Sequence, residues 1–160
     1  MAERPIFEPT GSLGGTTQAV AFDGTLVYTH IGKRIVVVDP SDPAAPRVVG
    51  QTEPLFAEPV SLAVDGSRLY VAMGEGGFEV VWVGDPANPQ PVGIAQWYDH
   101  AAAVAVSPQA ALFAGHMAGG EETVWLFSHD GTFPGDRLPG QSHSRQVRGG
   151  GGDMHDPSQP

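Results

Sequence analysis

"RIVVVDPSDPAAPRVVG", Arg34 to Gly50, is answered further along the chain by "FEVVWVGDPANPQPVG", Phe78 to Gly93. The closing nonapeptides, which begin at Asp42 and Asp85, agree at six of nine positions and start 43 residues apart. A period in the forties marks a repeat protein, in which one unit cannot bury its apolar surface alone and stacks on the next. Working outward, "AVAFDGTLVYTH" (Ala19–His30) lies over "SLAVDGSRLYVA" (Ser61–Ala72) at a spacing of 42. One residue inserted near the Gly74–Gly77 turn accounts for the change of spacing. A third, degenerate copy follows in "AVAVSPQAALFAG" (Ala103–Gly115) and "ETVWLFSHDG" (Glu122–Gly131).

Each copy resolves into four short strands, in the first roughly Gln18–Phe22, Thr25–Ile31, Arg34–Asp39 and Arg47–Thr52. Asp23-Gly24 and Asp65-Gly66, between apolar runs, are hairpin signals, and a two-residue turn with positive φ at both positions is expected there. The third strand, "IVVVD", is apolar at consecutive positions, which calls for burial on both faces. Connections this short exclude helical crossovers. The remaining solution is an antiparallel sheet sandwiched between like sheets, a propeller blade. In the Asp-Pro-x-x-Pro loop the prolines lack an N–H and cannot sit inside a paired strand. Asp42 and Asp85 are placed to accept from backbone amides two residues on. The loop therefore reads as a stiff corner between the third strand and the edge strand.

These residues resemble the LVIVD-repeat proteins of bacteria and archaea. "VDGSRLYVAMGEGGFEVVWVGDPANPQPVG" (Val64–Gly93) follows the repeat closely, and "IVVVDPSDPAAPRVVG" (Ile35–Gly50) carries its signature pentapeptide with conservative changes. The pentapeptide's Asp is kept as Asp39 but becomes Trp82 in the second copy, and the third copy lacks the Asp-Gly turn. The resemblance covers about Pro5 to Gly131 and implies a β-propeller at the cell surface or secreted. It carries no catalytic residues.

The expected fold is all-β: four-stranded antiparallel propeller blades, about 2.7 of them. The blades are placed at about 18–52, 60–95 and 102–128, within a partial propeller over 1–131. An orphan outer strand is expected over 5–12, centred on Ile6–Glu8, and a disordered Gly/Pro-rich tail over 132–160. Fewer than four blades do not close a ring, so either a homo-oligomer or further blades are expected to complete it.

Composition narrows the partners. Eighteen acidic against eight basic residues give a formal charge of −10, with no basic stripe to displace counterions from a nucleic-acid backbone. The chain has no cysteine, so disulfides and thiol chemistry are excluded. "MAERPIFEPTGSLGG" has no apolar core of a signal peptide. The most apolar stretch, Ala101–Gly120, is broken at Ser107-Pro108-Gln109 and is not a membrane span.

Candidate site residues lie in the loops that lead into the innermost strands, where propellers present ligand sites. Thr16, Glu58 and His100 stand at matching positions, and Trp97, Tyr98 and Asp99 precede His100. An Asp-His pair beside aromatics suits ligand orientation or proton transfer. None of the six histidines is spaced along the chain as in a metal motif, so no metal and no cofactor is expected. "GEGGFE" (Gly74–Glu79) leads into a strand rather than a helix, so it is a hairpin turn and not a phosphate loop. The reading is of a non-enzymatic interaction module that binds protein or glycan through its loop rims. The alternatives are a fragment of a longer propeller and a propeller hydrolase or quinoprotein-like enzyme that needs partner blades.

Overall fold

The computed structural model describes residues 9–10, 12–95, 100–116 and 122–128. Eleven strands are present in this part, and no helix. None of the described residues forms a helix long and apolar enough to cross a membrane. The first four strands are β1 (Val20–Phe22), β2 (Val27–Ile31), β3 (Arg34–Asp39) and β4 (Arg47–Gln51). Then come β5 (Ser61–Asp65), β6 (Arg68–Ala72), β7 (Phe78–Trp82) and β8 (Gln90–Ala95). Last are β9 (His100–Ser107), β10 (Ala110–His116) and β11 (Glu122–Ser128). They form three antiparallel meanders, β1-β2-β3-β4, β5-β6-β7-β8 and β9-β10-β11. The first two are complete blades and the third has three described strands. The orphan strand at Ile6–Glu8 and the tail from Thr132 lie outside the described residues.

The consecutive apolar run of each third strand has the expected cause. Ile35 and Val37 join Tyr28 in a core shared with Leu62, Leu69, Val71 and Val81 of the second blade. The second blade's other face, Tyr70, Ala72, Phe78 and Val80, packs on Ala101, Ala111 and Phe113 of the third. Phe78 stacks on Phe113 at 4.2 Å between centroids, and Tyr70 meets Phe113 edge-on at 6.3 Å. The two cores are successive interfaces of one repeating arrangement, and the residues that build them differ by one period.

The corner loops behave as their sequence requires. Asp42 Oδ1 accepts from the Ala44 amide at 3.0 Å, and Asp85 Oδ1 from the Ala87 amide at 3.1 Å. Each Asp carbonyl also accepts from the amide three residues on, Ala45 and Asn88. The second loop does more than turn the chain. It lies against the outer strand of the first blade, where a Cβ on Gly50 would run into Pro86 O and the Ala87 carbonyl. Both outer strands carry a bulge at the same place in the repeat, beside Gly50 and Gly93. Such a kink hinders another strand from pairing with an edge.

The first hairpins differ from the expected turn. No described residue other than glycine has positive φ, whereas Gly24 (φ 99°) and Gly66 (φ 55°) do. Glycine alone takes the left-handed corner and the aspartate stands outside it. Asp23 caps the turn instead, its Oδ1 accepting from the Thr25 and Leu26 amides at 2.8 Å. The Tyr28 hydroxyl donates to Asp23 Oδ2 at 2.8 Å. Partial burial works to raise the Asp23 pKa, but the bonds from Leu26, Tyr28 and Thr25 outweigh it and hold the carboxyl below its ordinary range. The Tyr28 hydroxyl is pushed well above its usual value, first by burial and then by the Asp23 carboxylate it serves. The first strand also begins later than expected, at Val20, because Gln18 gives its amide to a side chain rather than to the ladder.

Candidate functional site

The meander places the lead-in loops of β1 and β5, and the start of β9, at the same end of their blades. Hydrogen bonds fasten each of these segments to a hairpin. In the first blade Thr16 O accepts from the Gly32 amide at 3.3 Å. In the second the Val60 amide donates to Ala72 O at 2.8 Å. In the third Ala101 and the preceding blade's Gly74 exchange two bonds, at 2.9 and 3.0 Å. The Gln18 side-chain amide reaches Pro59 O at 3.4 Å, tying the first loop to the second.

His30 is fully buried and has no freedom to act as a base. Its Nε2 accepts from the Gln18 amide at 2.9 Å, which places the ring proton on Nδ1. Nδ1 in turn donates to Gly32 O at 2.9 Å. Glu58 Oε1 stands 3.9 Å from Nδ1. That proton is already directed at Gly32, so the pair is not an ion pair in the neutral ring, and the half-exposed Glu58 carboxylate faces solvent. Glu79 is the other acidic group of interest. It lies opposite Val71 on the face turned to the first blade, 7% exposed, with Oε2 unpartnered. Burial pushes its carboxyl up, against a weaker opposing bond from the Phe56 amide.

His100 opens β9 directly opposite His116 on β10. The two rings stack at 4.9 Å between centroids, 5° from parallel. Nδ1 of His100 is buried without a hydrogen-bond partner. Trp97, Tyr98 and Asp99 lie outside the described residues. Among the described residues, no hydrogen bond or ion pair joins Thr16, Glu58 and His100 to one another. No group of three or more metal-ligating side chains occurs among the described residues. Sequence spacing missed the His100–His116 pair, because those residues are neighbours across strands and not along the chain.

The LVIVD repeat family model matches residues 14–53 and 60–96, which contain the first two blades. Among solved structures, the computationally designed Ika4 protein, a propeller, aligns at 19% identity and TM-score 0.55, over 74% of this chain and 75% of that one. The computationally designed Ika8 protein aligns at 18% identity and TM-score 0.54, over 70% of this chain and 33% of its own. Likeness at such identities speaks for the fold alone. No curated protein matches the chain in sequence. Two matched repeats, each folded as a four-stranded antiparallel blade packed on the next, make this chain an LVIVD-repeat protein of the β-propeller fold.

Proposed function

We propose that the protein is a non-catalytic interaction module that binds a protein or glycan partner along the rim of its lead-in loops. Thr16, Glu58 and His100 mark the contact surface, with Trp97 and Asp99 in the segment beside it. The observation that carries this reading is the fastening to hairpins of the lead-in loops of β1 and β5 and of the start of β9, in support of a rigid rim at one end of the blades. Rigid presentation lowers the entropy cost of binding. In support of a non-enzymatic role, His30 spends both ring nitrogens on backbone groups. A binding screen of the full chain against a glycan array and a panel of surface-protein ectodomains tests the proposal. A partner whose binding falls at least about tenfold in Glu58→Ala is expected. Binding that ignores both Glu58→Ala and Thr16→Ala sinks the rim assignment, and hydrolytic turnover that depends on calcium favours the enzyme reading.

We infer in addition that a second copy supplies the neighbouring blades. Val20, Phe22 and Val48 of the first blade are 66%, 58% and 51% exposed. Val20 and Phe22 correspond in the repeat to Leu62 and Val64, which pack against the first blade. At the other end Leu112 and Ala114 correspond to Tyr70 and Ala72, which are buried against the third blade. The operation that stacks the second blade on the first therefore also fits the third blade of one copy to the first blade of another, and two such contacts close a ring.

A further inference from the structure

We propose that His100 and His116 form a binding site for one late transition-metal ion of the zinc, nickel and copper class, on the rim of the third blade. The argument begins with register. From Ser107↔Ala110 to Ala103↔Ala114 the β9–β10 pairing is regular, and continued unchanged it would set His116 opposite Ala101. A bulge at Ala102 shifts the pairing by one, so that Ala101 faces Gly115 and His100 faces His116. A bulge re-aims side chains in this way where a site needs them. The shift presses the His100 carbonyl onto Gly115, where any Cβ would collide with it. Glycine at 115 is thus the residue that permits the two imidazoles to meet.

The first ligand is held firmly. The two hydrogen bonds between Ala101 and Gly74 fix the backbone next to His100. Gly74, at φ 56°, leaves open the space beside His100 Nε2, since a side chain there would begin 3.6 Å from that nitrogen. The second ligand is adjustable, because His116 is exposed. Two imidazoles on one tetrahedral ion need their ligating nitrogens about 3.4 Å apart, with metal–nitrogen bonds near 2.1 Å. Parallel rings with centroids 4.9 Å apart reach this by leaning toward each other. Nδ1 of His100 is buried, so Nε2, beside the open space at Gly74, is the nitrogen that takes the ion. Imidazole with water suits zinc, nickel and copper rather than calcium.

The test is calorimetric titration of the full chain with zinc chloride, together with the electron paramagnetic resonance spectrum of the copper-loaded protein. One ion per chain and nitrogen hyperfine coupling from two imidazoles are expected. His116→Phe keeps an aromatic ring on His100 at an exposed position, so it should fold as the parent does by circular dichroism and lose the stoichiometric ion. A variant with His129, His143 and His155 all replaced by Ala should keep it. The proposal is overturned if no ion binds at about 1 mM, if His116→Phe binds as the parent does, or if the triple variant loses the ion.

Discussion

Glu79 shows how one carboxyl sets a pH dependence. Its folded pKa is raised by burial, so the folded state favours the protonated form. Its contribution to stability is therefore fully present below the ordinary carboxyl range and is lost as pH rises through the folded pKa. Glu79→Gln removes that loss. At pH 7 the variant should melt a few degrees higher, in keeping with about 1 kcal/mol for an unpaired buried oxygen. At pH 4 the two melting curves should converge, and a constant gap across this range would show that packing and not ionisation is responsible. Asp23 titrates with the opposite sign, because its amide and hydroxyl donors favour the ionised carboxylate. At this scale the sequence was only partly legible. Asp-Gly located the turn, but not which of the two residues takes the left-handed corner, since that depends on where Asp23 finds donors. His30 could be placed in a strand, yet its tautomer follows from Gln18 and Gly32, which only the hairpin brings together.

The element that organises the fold is the Asp-Pro-x-x-Pro corner. Period, strand number and corner chemistry were all readable, because each rests on local residues at fixed offsets. What the corner touches was not readable, because Gly50 and Ala87 belong to different blades. Gly50→Ala should destabilise the protein by at least about 1–3 kcal/mol, the range for overpacking, since the opposing atoms are backbone and cannot swing away. Gly14→Ala is the control, with nothing within 4 Å of the new methyl group. Thermal or urea midpoints read both, and equal midpoints would mean that the loop yields freely. The cross-strand histidines belong to this scale as well. A one-residue bulge decides whether His116 faces His100 or Ala101, and nothing in the sequence of β9 announces Ala102 as the place for it.

For the molecule as a whole, the exposed face of the first blade is the feature with the largest consequence. Its apolar residues carry the same repeat positions that are covered one blade further on, so a second copy has a ready-made seat there. Light scattering after size exclusion should give a dimer of the 16.7 kDa chain. Phe22→Glu, on a strand face already open to solvent, should give a folded monomer with an unchanged circular dichroism spectrum. A parent that runs as a monomer at tens of micromolar would remove the second copy from the account. Propeller class and blade order were legible from composition and period, because stacking like on like leaves its mark in every repeat. Which surfaces remain open was not legible residue by residue, since exposure is a property of the assembled sheets.

The contact between Gly50 and the loop at Pro86–Ala87 also sets a timetable. A ribosome releases Gly50 of the first blade's outer strand well before the corner that seats on it, with 37 residues (87 − 50) still to follow. During that interval the nascent chain shows a bare edge. The kinked, valine-containing strand at Arg47–Gln51 must therefore resist pairing with strangers by its own bulge, both before the next repeat seats on Gly50 and after.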